Sequence, residues 1–282
     1  MPEELLFRIQ TMQLETYLQR IEYHGAREPT LAVLNALQEA HLNTIPYENL
    51  DIHLGRKLPL GLAQAYQKIV LEQRGGWCFE MNTLFAWALR KIGFEVQCLS
   101  SGVLRPNGQT PDGDHMILLV KLEEGTYLAD VGFGDGSVPV LPLREGRYQT
   151  GFLEYRMDYS HPHWTMHNPP QSNTAGFVFS LEPRTLDYFS ERCTDLQTNP
   201  ESGFVRTTVC QRMTREALYT LRGAVLTTLS KTGKTERTLD GLADYNDVLL
   251  QVFKLKLPQS PALWGKIWGR HLELLLQKST SN

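Results

Sequence analysis

The first third of the chain repeats hydrophobic residues at the spacing of an α-helix. In three stretches, residues 14–21, 62–70 and 81–92, apolar side chains recur three and four positions apart. Because residues at this spacing share one face of a helix, the pattern predicts amphipathic helices packed into a bundle. The pair Gly75-Gly76 and the single Gly93 follow the second and third stretches, and both are predicted to end a helix.

From residue 94 the pattern changes to short apolar or alternating runs separated by Gly, Pro and Asp. These runs are FEVQCLSSGVL, HMILLVKL, TYLADVGF, SVPVLPL, FLEYRMDYS, GFVFSLE and FVRTTVCQRM. Many short runs of this kind predict antiparallel strands in a barrel or a sandwich. The last part of the chain adds a hairpin pattern, ALYTLRGAVLTTLS followed by KTGKTERTL, and a helical series from Tyr245 to Phe253. The predicted fold class is therefore α+β in about three parts.

Composition and charge exclude several classes of protein. The 282 residues include 28 Lys and Arg against 31 Asp and Glu, which gives a formal net charge of -3. The chain therefore lacks the excess of positive charge that is typical of a nucleic-acid-binding protein. No apolar run approaches the ~20 residues of a membrane span, and the acidic start MPEELLFRIQ does not have the form of a secretory signal. We therefore expect a cytoplasmic protein that binds neither nucleic acid nor membrane.

The four cysteines, Cys78, Cys98, Cys193 and Cys210, are too scattered for a disulfide framework, and no two form a C-x-x-C pair. Cys78, in RGGWCFEMN, lies at the predicted start of a helix, where free N–H groups and the helix dipole stabilise an anion. Lowering the pKa of a thiol by two units requires about 2.7 kcal/mol, whereas a helix start supplies about 2 at most. A reactive thiolate at Cys78 therefore needs a cationic partner, most simply a histidine.

Two later residues can complete such a site. His115 begins the run HMILLVKL, and Asp130 follows the next strand run. If the hairpin between these runs turns about Glu124-Gly125, Asp130 lies opposite Leu119, four residues from His115 on the same face. A skewed or bulged turn is then expected to bring the two side chains together. The carboxylate would hold the imidazole in one tautomer, as the third member of a nucleophile, base and orienter triad.

Each of the three residues also has a simpler structural explanation. A free cysteine in a helix is commonly a small buried hydrophobe. A histidine at a strand end is commonly held by hydrogen bonds, and an aspartate before glycines commonly forms a turn. The order Cys, His, Asp, with the thiol at a helix start and the other two at strand ends, resembles papain-like thiol enzymes and favours the catalytic explanation.

Several segments together resemble the arylamine N-acetyltransferase family. They are IPYENLDI at 45–52, RGGWCFEMN at 74–82, DHMILLV at 114–120, ADVGFGDG at 129–136 and PESGF at 200–204. The resemblance implies acetyl transfer from acetyl-CoA to arylamines, arylhydrazines or N-hydroxyarylamines through an acetyl-cysteine, and it assigns the catalytic triad to Cys78, His115 and Asp130.

The resemblance also implies the arrangement of the fold around a papain-like core. It predicts a helical bundle over 1–93, an antiparallel β-barrel over 94–203 and an α/β lid over 204–282. With it we expect small-molecule partners, acetyl-CoA and an arylamine, and a chain that is a monomer or a weak homo-oligomer.

Further site residues follow from the resemblance alone. The family's coenzyme contacts match Asp112, Gly113, Thr198 and Ser202, although Asp112 departs from the small polar residue usual at its position. The position that faces the acceptor pocket in the family matches Phe133. Tyr47, in the string IPYENLDI, is a second candidate for contact with the acceptor, and packing beneath the active-site helix explains it equally well.

Two other charged or polar groups invite an interpretation. Arg74 and Glu80 flank Cys78 and are predicted either to form a buried ion pair or to remain solvated. The run HPHWTMH has three histidines, but no Cys, Asp or Glu completes a zinc ligand set, so we expect no metal.

Two other functions stay open: a thiol amidase or hydrolase with the same triad, in which water replaces the amine, and a binding module that keeps the fold without the chemistry.

Overall fold

The computed structural model describes residues 12–280, with side chains up to residue 277. The segment MPEELLFRIQ lies outside the described residues. Helices fill the first third of this part of the chain and return near its end. They are α1 (Leu14–Arg20), α2 (Leu31–Thr44), α3 (Leu50–His53), α4 (Leu62–Tyr66, continued by a π-helical turn over Gln67–Leu71), α5 (Cys78–Ile92), α6 (Ser190–Thr198), α7 (Gly203–Arg206), α8 (Leu242–Gln251) and α9 (Ser260–Thr280).

The ends of the helices agree only in part with the glycine pattern. Gly93 ends α5 in the left-handed conformation, with φ 113°, as predicted. The prediction for Gly75-Gly76 is wrong, because the helical turn ends at Leu71 and the left-handed residue after it is Gln73. The glycines allow a close approach instead, since a Cβ on Gly75 would lie 2.2 Å from the carbonyl oxygen of Pro46.

The strands of the described chain form two antiparallel sheets. They are β1 (Tyr47–Glu48), β2 (Glu95–Val103), β3 (His115–Leu122), β4 (Gly125–Ala129), β5 (Leu141–Pro142), β6 (Gly146–Thr150), β7 (Leu153–Ser160), β8 (His163–His167), β9 (Gly176–Pro183), β10 (Val209–Met213), β11 (Ala217–Arg222), β12 (Val225–Ser230) and β13 (Gly233–Thr238). An eight-stranded sheet has the order β5-β4-β3-β2-β9-β8-β7-β6, and a five-stranded sheet has the order β1-β10-β11-β12-β13.

Three hydrophobic clusters hold these elements together. The first surrounds α5 and the helices before it. The second joins side chains from β2, β3, β4, β5, β7, β8 and β9, so the eight-stranded sheet wraps around it like a barrel. The third lies between the five-stranded sheet and helices α8 and α9. Because α5 packs on β2 and β3, its first residue is brought to the beginning of β3.

The predicted α+β class, with a helical start, a central antiparallel barrel-like sheet and an α/β end, is confirmed. Strands β1, β6 and β8 and helices α6, α7 and α9 are not among the predicted elements, and α6 lies within the segment predicted to be the β-barrel. The domain boundaries at 93 and 203 stay predictions, as does the cytoplasmic location. Between residues 12 and 280, no helix combines the length and the apolar character required to cross a membrane.

Candidate active site

Cys78 is the first residue of α5 and is almost fully buried. The helix start is fixed by Glu80, whose carboxylate accepts a hydrogen bond from the Trp77 N–H at 3.2 Å. Burial raises the pKa of the Cys78 thiol well above its usual range, and the nearby Cys193 and Asp130 raise it further. The thiol is therefore protonated at neutral pH unless a base takes its proton.

His115 and Asp130 are in direct contact. Nε2 of His115 lies 2.6 Å from Oδ2 of Asp130, and both side chains are buried. The predicted turn about Glu124-Gly125 and the predicted bulge are both wrong, because Leu122 pairs with Gly125 around a regular two-residue turn, Glu123-Glu124. When this pairing is extended by one residue, Asp130 lies opposite Ile117 and is therefore a diagonal neighbour of His115. Long side chains of diagonal neighbours in a sheet can reach each other.

Two buried amides that the sequence analysis did not select hold Asp130. Asn82 Nδ2 donates to Asp130 Oδ1 at 2.8 Å and to the Met116 carbonyl at 2.7 Å, and its Oδ1 accepts from the Val131 N–H at 3.1 Å. Gln38 Oε1 accepts from the Asp130 N–H at 2.9 Å. A signal for Asn82 exists in the sequence, since it lies four residues after Cys78 as a polar residue on a helix face that is otherwise apolar.

The loop after Asp130 passes very close to the start of α5. A Cβ on Gly132 would lie 2.7 Å from Cα of Cys78, so only glycine fits there without a shift. The next residue, Phe133, packs on the imidazole of His115 with ring centroids 4.8 Å apart, and Phe177 packs on the same ring at 5.3 Å. These two aromatic rings fix the plane of the imidazole.

A cavity of about 420 Å³ opens over these groups and is lined by both Cys78 and His115. Of the predicted contact residues, Tyr47, Phe133 and Ser202 line this cavity. Its apolar walls are formed by the side chains of Tyr47, Val103, Phe133, Leu196, Phe204 and Val209. An apolar, partly aromatic chamber next to a thiol and an imidazole can accept a flat aromatic molecule.

The other three predicted coenzyme contacts lie outside this lining. Asp112 accepts hydrogen bonds from Ser100 and Tyr188, and the Gly113 N–H donates to Ser100 Oγ at 2.9 Å. Thr198 is exposed and donates to the Thr194 carbonyl. Their roles stay predictions from the family resemblance.

The ion pair considered for Arg74 and Glu80 does not form, although both residues are buried. Arg74 donates instead to Glu48 at 2.8 Å and to Asp51 at 3.1 Å, whereas Glu80 accepts from Lys68 at 2.8 Å. Lys68 also lies 3.2 Å from Asp51, so the two pairs are joined and each charge has an opposite charge beside it. The result is a buried charge cluster beneath the Cys78 loop.

The histidine-rich run lies on β8 and the turn before it, where His167 bonds to Asp158 of the neighbouring strand. Within the described residues, no group of three or more His, Cys, Asp or Glu side chains is arranged to hold a metal ion.

In sequence, the chain is similar to N-acetyltransferases over most of its length. A family model described as N-acetyltransferase matches residues 30–262. Arylamine N-acetyltransferase, pineal gland isozyme NAT-3, of Gallus gallus is 34% identical over 240 residues, which cover 77% of this chain and 83% of that protein. Arylamine N-acetyltransferase 2 of Homo sapiens is 30% identical over 275 residues, which cover 87% of this chain and 95% of that protein.

Solved structures are similar over nearly the whole chain. The Mycobacterium marinum arylamine N-acetyltransferase in complex with CoA superposes with a TM-score of 0.84 and 30% identity, covering 90% of this chain and 98% of that one. The M. tuberculosis arylamine N-acetyltransferase gives a TM-score of 0.83 at 30% identity, covering 90% of this chain and 99% of that one.

Proposed function

Because the chain belongs to the arylamine N-acetyltransferase family and is an enzyme of that family, we propose that Cys78 carries an acetyl group from acetyl-CoA to an amine nitrogen. The acceptors are arylamines, arylhydrazines or N-hydroxyarylamines, and the two substrates react in turn by a ping-pong mechanism. The relative from M. marinum solved with CoA supports CoA as the carrier of the acetyl group.

One observation carries the assignment of the catalytic residues. Cys78 and His115 line one cavity, and Nε2 of His115 is 2.6 Å from the carboxylate of Asp130. A carboxylate only accepts hydrogen bonds, so Nε2 carries the proton of this contact and Nδ1 is the nitrogen available as a base. Asp130 thus orients the imidazole, and His115 takes the proton of the Cys78 thiol.

The first half-reaction uses this proton transfer. As the proton of Cys78 moves to Nδ1 of His115, the thiolate attacks the thioester carbonyl of acetyl-CoA. The bond between the carbonyl carbon and the sulfur of CoA then breaks, and the leaving thiolate recovers the proton from His115. The products are acetyl-Cys78, neutral His115 and CoA with a free thiol.

The negative charge that develops on the carbonyl oxygen needs a hydrogen-bond donor. The Gly76 N–H already donates to the Pro46 carbonyl at 3.2 Å, and the Trp77 N–H donates to Glu80. The N–H of Cys78 itself, at the first position of α5, is therefore the donor that we assign to the oxyanion.

In the second half-reaction the amine attacks the acetyl-Cys78 carbonyl and passes its proton to His115. The bond from the carbonyl carbon to Cys78 breaks, and the cysteine sulfur regains the proton. An arylamine suits this step because its nitrogen is unprotonated near neutral pH. We propose that Tyr47 and Phe133 contact its ring and that Ser202 contacts the donor, as the resemblance implies for these positions.

The direct test is the mass of the intact protein after mixing with acetyl-CoA alone. We expect the addition of one acetyl group, mapped to Cys78, and no addition to Cys78→Ala. Cys98→Ala is the matched control, and it should be acetylated like the wild type. An acetyl group on another cysteine or on a lysine would show that the assignment of the nucleophile is wrong.

The same mixture separates a transferase from a thiol hydrolase. A transferase releases one equivalent of CoA, stops, and resumes when an arylamine is added. Continuous release of CoA in the absence of amine would mean that water is the second nucleophile, which would contradict the proposed function.

A further inference from the structure

A buried lysine lies close to three carboxylates beneath the start of α5. Lys68 belongs to the π-helical turn that continues α4. Its Nζ is 2.8 Å from Oε2 of Glu80, 3.2 Å from Oδ2 of Asp51 and 3.9 Å from Oε1 of Glu48. Burial by itself would lower the pKa of Lys68, but the three carboxylates raise it above its usual range. The ammonium group of Lys68 therefore stays charged.

Glu80 depends on Lys68 more than the other two carboxylates do. Glu48 and Asp51 are also bound by Arg74, at 2.8 and 3.1 Å. Among the described residues, Lys68 is the single ion-pair partner of Glu80. A buried carboxylate that has no counter-charge is costly, and it usually takes up a proton instead. Lys68 therefore stabilises the charged carboxylate of Glu80 in its observed position.

The carboxylate of Glu80 in turn holds the backbone from which the N–H of Cys78 projects. The oxygen that meets Lys68, Oε2, also accepts the hydrogen bond from the Trp77 N–H at 3.2 Å. Trp77 is extended, with φ -102° and ψ 179°, and the helix begins at the next residue. Because the peptide group between Trp77 and Cys78 is planar, the dihedral angles of Trp77 set the direction of the Cys78 N–H.

Building on the proposed function, we propose that Lys68 is a positioning residue for acetyl transfer, which holds Glu80 on the Trp77 N–H and so aims the Cys78 N–H at the oxyanion. Lys68 does not line the Cys78 cavity, so it acts only through Glu80. A hydrogen bond weakens steeply as its angle departs from linear, and the oxyanion forms only during the reaction. A small tilt of this N–H therefore slows the transfer.

Two reactions of the same thiol separate this role from a general effect on the fold. Acetyl transfer from acetyl-CoA places a negative charge on a carbonyl oxygen. In alkylation by iodoacetamide, the sulfur of Cys78 attacks a methylene carbon and iodide leaves, so no oxyanion forms. Both reactions require His115 to take the proton of the thiol. The ratio of the acetylation rate constant to the alkylation rate constant, each measured by mass and mapped to Cys78, therefore reports on the oxyanion donor.

We expect this ratio to fall about tenfold in Lys68→Met, while alkylation stays near the wild-type rate. The fall is smaller than the 100- to 1,000-fold loss typical when an oxyanion donor is removed, because the donor is only misaligned. The double variant Lys68→Met/Glu80→Gln should recover most of the ratio. Its neutral amide oxygen can accept from the Trp77 N–H and needs no counter-charge.

Arg74→Met is the matched control, because it removes the other buried base of the cluster. Arg74 bonds to Glu48 and Asp51 and not to Glu80, so this variant should lose stability but keep the wild-type ratio. An equal fall of the ratio in Arg74→Met and Lys68→Met would overturn the proposal. So would a parallel fall of both rate constants in Lys68→Met, since that result indicates a general loosening of the site.

A second variant serves if Lys68→Met does not fold. Glu80→Ala leaves Lys68 beside Asp51 and removes the acceptor of the Trp77 N–H, so the ratio should fall in the same way. An unchanged ratio in that variant would contradict the role of the pair. If acetyl-CoA does not acetylate the wild type, the proposed function fails and the role of Lys68 fails with it. An acetylated wild type with an unchanged ratio in Lys68→Met contradicts the role of Lys68 alone.

Discussion

At the residue scale, the proposed chemistry depends on the transfer of a proton from the buried thiol of Cys78 to His115. Because burial raises the pKa of Cys78, the thiolate forms only as its proton moves to His115. The imidazole must therefore be held in the correct orientation before the reaction begins. Asp130 provides this orientation, and Asn82 in turn holds the carboxylate of Asp130.

Replacing Asn82 should affect the reactivity of Cys78 without removing any catalytic group. In Asn82→Ala, Oδ1 of Asp130 loses a donor and the Val131 N–H loses its acceptor. We expect kcat/KM for acetyl transfer to fall about 100-fold, the loss typical of a small displacement at a reacting centre. The rate of alkylation of Cys78 by iodoacetamide, measured as a function of pH, should also fall and its profile should shift.

Thr83 offers a matched control on the same helix. It is the next residue, and its hydroxyl has no hydrogen-bond partner within the described part of the chain. Thr83→Ala should therefore retain nearly wild-type kcat/KM and the wild-type alkylation profile. Equal losses in the two variants would mean that Asn82 matters only for packing of the helix.

At this scale, functional residues can be predicted from the sequence when their chemical type reveals them. Residues whose role depends on hydrogen bonds to distant parts of the chain cannot be predicted in this way. Cys78 is recognisable because it lies at a predicted helix start and is followed along the chain by a histidine and an aspartate at strand ends. Gln38 is not recognisable, because its partners are backbone groups about 100 positions away in the chain. The same limit explains why the ion pair considered between Arg74 and Glu80 does not form. The sequence shows that these two charges are close along the chain, but it does not show that folding brings Glu48 to Arg74 and Lys68 to Glu80.

At the scale of elements, the site depends on the contact between the loop after β4 and the first turn of α5. A Cβ on Gly132 would lie 2.7 Å from Cα of Cys78 and 2.8 Å from Nδ2 of Asn82. Gly132→Ala should therefore push the two elements apart, lower the free energy of unfolding by about 1–3 kcal/mol and reduce kcat/KM about 100-fold or more. Steady-state kinetics and chemical denaturation measure the two effects.

Gly136 lies in the same loop and provides the comparison. A Cβ there would have its nearest contact at 3.4 Å, with Cβ of Phe133, and its φ is not in the left-handed region. Gly136→Ala should therefore change both quantities little. A similar loss in both variants would point to a general sensitivity of the loop and contradict the role given to Gly132.

Two of the elements that were not predicted, β6 and α9, have different physical reasons. Strand β6, GRYQT, is mostly exposed, so it lacks the apolar alternation on which strand prediction rests. Helix α9 contains Gly265 and Gly269, and glycine lowers helix propensity by about 1 kcal/mol per residue. Its buried residues Leu263 and Ile267 pack on the five-stranded sheet, and this tertiary packing outweighs the weak local preference.

At the scale of the whole molecule, the helical core contains a group that makes the protein sensitive to acid. His41 is fully buried and bonded to the hydroxyl of Tyr17 at 2.9 Å, and burial lowers its pKa from the usual 6.5 to about 3. Between these two values the unfolded chain binds a proton that the folded chain does not. His41 therefore stabilises the fold fully above pH 6.5, and this contribution is lost as the pH falls towards 3.

We expect the His41 contribution to the free energy of unfolding to fall by about 2 kcal/mol between pH 6.5 and pH 5. In His41→Asn, whose side-chain amide can replace Nδ1 as the partner of the Tyr17 hydroxyl, the decline of stability with acid should be smaller than in the wild type, even if the variant is less stable at pH 7. Urea denaturation at several pH values measures the slope. His24→Asn, which changes an exposed histidine, should keep the wild-type slope.

The two-residue strand Tyr47–Glu48 has a consequence for how the enzyme is made. It belongs to the helical part in sequence, yet it pairs with Cys210 and Gln211 in the C-terminal sheet, and Tyr47 also lines the Cys78 cavity. A chain emerging from the ribosome therefore contains Cys78, His115 and Asp130 long before the strand that supports this wall is synthesised. Contacts between such distant segments form late in folding. The nucleophile thus gains its complete chamber only when the last third of the chain folds back onto the first.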